Sequence, residues 1–178
     1  MTELNGADRT YVLDRMVRIT VLTAGAETEG RFDVVMGIDQ PHSATALHLH
    51  TRYEERFCVL DGELTVWAGA DRVTLGPGGY ATVPRNVPHM IQTGPHGAHA
   101  LVISSPAGFA ELVERTGTPA RLAGPDTELD LELFMRVSTE LGDVVLGPPG
   151  TTPDQVDVAV SPIGGSHPIH AVPGRSDA

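Results

Sequence analysis

Cysteine is nearly absent from this chain of 178 residues, and long apolar runs are missing altogether. The single cysteine, Cys58, excludes an intrachain disulfide and fits a reducing compartment. No run approaches the length needed to span a bilayer. The N-terminal stretch MTELNGADRTYVLDRM has no apolar core, so it does not read as a signal peptide. We therefore expect a cytoplasmic protein without a membrane partner.

Basic residues are also scarce. The chain has 12 Lys and Arg against 23 Asp and Glu, which gives a formal net charge of −11. A surface this acidic repels phosphate backbones and anionic lipid head groups, and no cluster of Lys or Arg provides a local exception. The charge therefore argues against nucleic-acid and membrane binding.

Glycine and proline, by contrast, are abundant, with 20 Gly and 14 Pro. They punctuate short segments of strand character such as VRITVLTA, RFDVVMGI, ATALHLH, RFCVLDG, ELTVWAG and HALVISS. Residues 61–62 (DG) and 77–79 (PGG) are candidate hairpin turns. Many short strands with frequent turns predict an all-β sandwich or barrel, and the length suits one domain.

Helical patterns follow the strands. Ser105 as N-cap, Pro106 at the first helical position and Gly117 at the end predict a helix that packs on the barrel. A second helix is predicted over about 126–141, with an apolar stripe suited to core or dimer packing. The predicted organisation is a flexible N-terminus at 1–10, the barrel with its packing helix at 11–117, a C-terminal helical segment at 118–146 and an extended or disordered tail at 147–178.

Two histidines in the stretch ALHLHTRYEERF suggest a shared ligand. Side chains alternate along a strand, so His48 and His50 project from one face. If Phe57 faces inward on the next strand, the same alternation places Glu55 inside and Glu54 outside. This holds only when no bulge separates residues 54 and 57. Glu55 is therefore the predicted third ligand.

A fourth candidate is His89, which follows the tight turn PRNVP and starts another strand. Three neutral imidazoles and one carboxylate form a mixed nitrogen and oxygen donor set. Such a set suits Fe, Ni, Co, Mn, Cu or Zn better than Ca or Mg. The sequence thus predicts one divalent transition metal per chain, bound by His48, His50, Glu55 and His89.

The stretch GIDQPHSATALHLHTRYEERFCVLDG resembles the first motif of the cupin family, G(X)5HXH(X)3–4E(X)6G. Four residues separate His50 from Glu55 and six separate Glu55 from Gly62, so the family's register also selects Glu55. The stretch GYATVPRNVPH is similar to the second motif, with Asn86 where the family has glycine. The resemblance covers about residues 11–115. It implies a small cupin-type β-barrel, a double-stranded β-helix or jelly roll, and more narrowly a single-domain cupin like quercetin 2,3-dioxygenase.

Other polar residues receive no metal role. His42 is expected in a surface loop, His96 and His99 are left unassigned, and Cys58 is expected as a packed outer-face side chain. The tail contains two further histidines that we expect to be exposed, His167 and His170. For Arg52 and Tyr53, a place at the pocket rim and an exposed turn remain alternatives.

The resemblance implies an enzyme, a metal-dependent dioxygenase acting on a flavonol or another enolisable aromatic molecule. Glu55 would be its catalytic base. The same residues also suit a metal-dependent isomerase or polyketide cyclase, or a non-catalytic small-molecule-binding protein. The apolar helix stripe and exposed barrel edges favour a homodimer.

Overall fold

The structure, a computed structural model, describes residues 9–14, 17–156 and 169–174. These residues form eleven strands, two α-helices and two short 3-10 helices, Gly25–Thr28 and Pro153–Gln155. The strands are β1 Thr10–Asp14, β2 Val17–Thr23, β3 Asp33–Asp39, β4 Ala46–His50, β5 Glu54–Ala68, β6 Asp71–Leu75, β7 Tyr80–Val83, β8 His89–Ser105, β9 Thr118–Pro119, β10 Asp143–Pro149 and β11 His170–Val172. The helices are α1 Phe109–Thr116 and α2 Leu131–Leu141. Most of the predicted flexible N-terminus lies outside the described residues.

All strand pairs are antiparallel and belong to one sheet that folds over on itself. The main path runs β11-β7-β5-β8-β3-β2-β1-β9, with β6 on β5 and β4 between β8 and β10. Apolar side chains fill the interior, among them Val35, Val59, Val66 and Leu75. This arrangement confirms the predicted all-β jelly-roll fold with C-terminal helices.

Two long strands replace several predicted short ones. The segments RFCVLDG and ELTVWAG are both part of β5, which pairs along most of its length with β8. The predicted hairpin turn at 61–62 is wrong, because the pairing continues through it with register shifts on either side. Gly62 makes this bend possible: its φ is +75°, and a Cβ there would lie 2.3 Å from the Gly97 carbonyl oxygen.

The segment at 77–79 does turn, but it does not form a hairpin. The Gly79 N–H donates to the Gly76 carbonyl over 2.7 Å, and Gly78 has a φ of +77°. The strands it joins, β6 and β7, both pair with β5 rather than with each other. The turn therefore carries the chain from one half of β5 to the other.

Helix α1 starts later than predicted. Ser105 is still part of β8, Pro106 follows it through a cis peptide bond, and the N-cap is Gly108. A carboxylate from β3 replaces the predicted cap: Asp33 Oδ2 accepts hydrogen bonds from Gly108 N at 2.7 Å and Ala110 N at 3.1 Å. The capping group is far away in sequence, which explains why the local pattern missed it.

The C-terminal segment differs most from expectation. Helix α2 begins at Leu131 rather than near residue 126. Asp130 is its N-cap, and the Asp130 carboxylate accepts a hydrogen bond from Leu133 N at 2.9 Å. The sequence predicts a helical segment up to residue 146 and a tail from residue 147, but residues 143–149 form strand β10, paired with β4. The edge of β4 supplies hydrogen-bond partners that local composition does not reveal.

The predicted tail also contributes a strand. In β11, His170–Val172 pairs with β7, and the Pro173 carbonyl accepts from Gly76 N at 3.1 Å. The rest of the predicted tail, 157–168 and 175–178, lies outside the described residues. Neither described helix is long and apolar enough to cross a membrane.

Candidate metal centre

Strand β4 presents two imidazoles toward the interior of the fold. His50 is buried and His48 is half-buried, and their ring centroids are 4.8 Å apart. On the opposite face of the strand, Leu47 is fully buried, so both faces of β4 are packed. The alternation of the strand therefore places both histidines on one side, as the spacing predicts.

Glu55 lies one residue into β5 and is 4% exposed, whereas Glu54 is half-buried and pairs with Arg56. The pairing with β8 is continuous from residue 54 to residue 59, so no bulge interrupts the alternation there. Of the two glutamates, the structure turns Glu55 toward the histidines and Glu54 away from them.

His89 is the first residue of β8 and lies directly opposite His48 in the strand pairing. It follows a turn in which Asn86 adopts a left-handed conformation with a φ of +63°, which Asn tolerates in place of Gly. The Asn86 N–H donates to the His50 carbonyl over 2.8 Å. The turn is thus tied to the strand that carries the other two histidines.

These four residues converge on one point. One donor atom from each of His48, His50, Glu55 and His89 lies within 4.8 Å of the others. Glu55 Oε2 is 3.2 Å from His50 Nε2 and 3.4 Å from His89 Nε2. Among the described residues, no other group of three or more His, Cys, Asp or Glu side chains is placed to hold a metal ion.

The far nitrogen of each imidazole is already engaged. His48 Nδ1 lies 2.8 Å from the Ala46 carbonyl, and His89 Nδ1 lies 2.9 Å from the Val87 carbonyl. His50 Nδ1 lies 2.7 Å from Asp143 Oδ1. Because these oxygens can only accept, each Nδ1 carries the proton and each Nε2 is left as a potential ligand. His50 Nε2 is buried without a well-formed hydrogen bond, and a metal ion would satisfy it.

Electrostatics in the metal-free site are dominated by burial and by a buried ion pair. Burial, together with the neighbouring His89 and His50, lowers the pKa of His48 to about 3. Burial opposes the charged form of His50 as well, but the carboxylates of Glu55 and Asp143 outweigh it and raise the pKa of His50 to about 9. Burial by itself would raise the pKa of Glu55, but His50 and His89 outweigh it and hold that pKa well below its usual range. At neutral pH the metal-free His50 therefore carries a second proton, on Nε2, in addition to the one on Nδ1.

Metal binding must displace that proton, so we expect metal affinity to depend on pH. Below about pH 9, where His50 is protonated, each bound ion should release one proton from it. Affinity should then rise with pH by up to about tenfold per unit between pH 6.5 and 8.5. Calorimetric titration with Zn²⁺ in buffers of different ionisation enthalpy measures both quantities. Affinity that is constant over this range, with no proton released, would contradict the assignment.

The site also contains Asp143, which the sequence pattern does not predict, and Tyr53, for which it leaves two alternatives. Asp143, at the start of β10, is buried and separated from His50 by 93 residues, and no local signal points to it. The ring of Tyr53 stacks on His50 with centroids 4.2 Å apart and is 1% exposed, which rules out the exposed-turn alternative. A Cβ on Gly108 would lie 2.5 Å from that ring, so only glycine leaves room for it.

The remaining histidines lie elsewhere. His42, His96 and His170 are exposed, whereas His99 is half-buried beside Asp61 and His96 in a separate open cleft. His167 lies outside the described residues. Cys58 is half-buried, on the face of β5 opposite Phe57 and Val59, as predicted.

Comparison with known proteins places the site in a family context. Residues 35–104, which contain all four converging side chains, match the cupin domain. Quercetin 2,3-dioxygenase from Bacillus subtilis (strain 168) is 27% identical over 117 residues, covering 66% of this chain and 34% of the relative. Quercetin 2,3-dioxygenase from Aspergillus japonicus is 32% identical over 94 residues, covering 48% of this chain and 27% of the relative. The chain thus matches about a third of the length of these curated relatives.

Solved structures support the same fold. A variant of oxalate decarboxylase from Bacillus subtilis superposes with a TM-score of 0.54 at 20% identity, covering 62% of this chain and 30% of the other. KdgF from Halomonas sp. gives a TM-score of 0.50 at 14% identity, covering 55% of this chain and 84% of the other. At these identities the likeness concerns the fold alone. By sequence, residues 35–104 match the cupin domain, and the aligned part of this chain is similar to quercetin 2,3-dioxygenases.

Proposed function

We propose that this protein is a metal-dependent dioxygenase that acts on a flavonol or another enolisable aromatic small molecule. The observation that carries the proposal is the convergence of three imidazole Nε2 atoms and the Glu55 carboxylate in a buried site. The similarity to two quercetin 2,3-dioxygenases supports the reaction class.

The donor set defines which metal ions fit. His48, His50, Glu55 and His89 would hold one divalent transition ion, and three nitrogen ligands with one oxygen suit Fe, Ni, Co, Mn, Cu or Zn. When bound, such an ion would supply Lewis-acid chemistry that makes a substrate hydroxyl more acidic.

Glu55 is the proposed base. In the metal-free site Glu55 is ionised at neutral pH, because His50 and His89 outweigh its burial and hold its pKa below the usual range. The substrate O–H bond would break, its proton would pass to the Glu55 carboxylate, and the electron pair would stay on the substrate as an enolate. That enolate is the electron-rich species that reacts with dioxygen, the co-substrate, and the ring is then cleaved with both oxygen atoms in the product.

Burial of the site defines how a substrate reaches it. His50, Glu55 and His89 are buried, and His48 is the one member of the group that keeps partial exposure. We therefore place the substrate's approach on the His48 side. The packed surroundings would exclude bulk water and strengthen the electrostatic interactions with the enolate.

An oxygen-uptake assay tests this function. The purified protein would be stripped of metal, reloaded with one ion at a time and supplied with a flavonol. We expect metal-dependent consumption of one dioxygen per product. Equal turnover under nitrogen would favour an isomerase or polyketide cyclase instead, and tight binding without product would favour a non-catalytic binding protein.

Two further proposals concern the protein in the cell. The lack of a membrane-spanning helix among the described residues and the acidic composition are compatible with a cytoplasmic location. The exposed apolar side chains of α2, Leu131 and Met135, suit a homodimer contact. Light scattering of the purified protein would report twice the mass of one chain if this is right.

A further inference from the structure

One ligand in the proposed metal site is held differently from the other two histidines. His48 and His89 each donate their Nδ1 proton to a backbone carbonyl two residues earlier in the chain. His50 instead donates to a side chain, Asp143 Oδ1, at 2.7 Å. Both partners are about 5% exposed, so water does not compete for this bond.

The carboxylate is delivered by a part of the chain outside the matched cupin domain. Asp143 is the first residue of β10 and pairs directly with His50 in the strand register. Gly142, with a φ of +90°, turns the chain from α2 into β10, and its carbonyl accepts from Thr51 N at 2.9 Å and Thr51 Oγ1 at 2.7 Å. Arg52 adds a bond to the Glu140 carbonyl at 2.8 Å. The α2–β10 connection is therefore fastened to the loop that follows His50.

We propose that Asp143 is a positioning residue for the metal site. It holds the proton of His50 on Nδ1, fixes the ring plane and so aims the Nε2 lone pair at the point where the donors of His48, Glu55 and His89 meet. A carboxylate in this place also makes the imidazole a stronger donor than a carbonyl would. This role depends on the proposed metal site and adds a residue that the cupin-domain match does not contain.

The ring of Tyr53, which stacks on the face of the His50 imidazole, supports the same role. Tyr53 stacks on the imidazole with an angle of 24° between the planes. Stacking restrains the tilt of the ring but leaves rotation within its plane free, because a π-face carries no directional partner for Nδ1. The hydrogen bond to Asp143 removes that remaining freedom.

Two substitutions in the full-length protein separate positioning from packing. Asp143→Ala removes the acceptor, and Asp143→Asn keeps the volume but loses the charge and can donate to Nδ1, which would leave the proton on Nε2. We expect both to weaken Co²⁺ and Zn²⁺ binding by about 10- to 100-fold. The visible absorption spectrum of the Co²⁺ protein should shift in both, since it reports ligand geometry.

Asp130→Ala is the matched control. Asp130 caps α2 through Leu133 N, so its loss loosens the same segment without touching His50. We expect this variant to keep wild-type affinity and the wild-type Co²⁺ spectrum. A loss of affinity in Asp130→Ala equal to that in Asp143→Ala would overturn the positioning role, because packing of the segment would then explain both.

The outcomes also separate this inference from the function it depends on. Tight metal uptake by the wild type, with both Asp143 variants within threefold of it, overturns the role of Asp143 and leaves the metal site standing. A wild type that takes up neither ion overturns the metal site, and the role of Asp143 with it. Weakened binding in both variants with an intact control supports the assignment.

Discussion

Replacing His89 with alanine should abolish stable metal binding, with affinity reduced by more than about 100-fold, because it removes a direct ligand rather than a residue that orients one. His89 is fully buried, and its Nδ1 donates a hydrogen bond to the Val87 carbonyl. Its Nε2 therefore points at Glu55 and the metal site. Metal content after dialysis and oxygen uptake with a flavonol should both fall to background.

Two further variants make this result interpretable. His96→Ala removes an exposed histidine from the same strand and should leave metal content and activity unchanged. His89→Gln keeps most of the buried volume, so it separates loss of a ligand from the cavity that alanine leaves. Wild-type metal content in both His89 variants would show that the converging side chains do not bind an ion.

Glu55→Gln should have the second large effect, on turnover. The amide keeps an oxygen that can face the metal but cannot accept the substrate proton at neutral pH. Loss of a general base costs typically 10²- to 10⁴-fold in rate, and we expect a fall in kcat of about that size. The measurement is the steady-state rate of oxygen uptake, normalised to the metal content of each preparation.

Glu54→Gln is the matched control for this prediction. Glu54 is adjacent in sequence but pairs with Arg56 on the other face of β5. It should retain the wild-type rate per bound metal. Equal rates in Glu55→Gln and the wild type, per bound metal, would rule out Glu55 as the base and leave it as a ligand at most.

The period of the β-strand explains why so much of the site could be predicted. Residues two apart share a face, so His48 and His50 must be neighbours, and Glu55 follows from Phe57 as long as the strand has no bulge. The register between residues 54 and 59 is intact, so the alternation extends from Phe57 back to Glu55. The common facing of His48 and His50 and the inward facing of Glu55 therefore follow from local geometry, whereas His89 joins them through the pairing of β4 with β8.

Other features depended on distant partners and could not be predicted. Asp33 caps α1 from β3, and Asp143, on β10, accepts a hydrogen bond from His50. No local sequence pattern predicts either contact, because the partners are far apart in the chain. The sequence predicts a hairpin turn at Gly62, but a glycine with positive φ serves equally in a hairpin and in a bent long strand. Only the pairing of β5 with β8 distinguishes the two.

The late position of Asp143 has a consequence for how the protein matures during synthesis. His48, His50, Glu55 and His89 are all translated before it, and at about 5–20 residues per second residue 143 follows residue 89 by roughly 3 to 11 s. In that interval the emerging chain holds all four donor groups while the imidazole of His50 lacks the partner that sets its tautomer. Translation of β10 is thus the step after which the nascent protein has all the residues that we propose for capturing an ion.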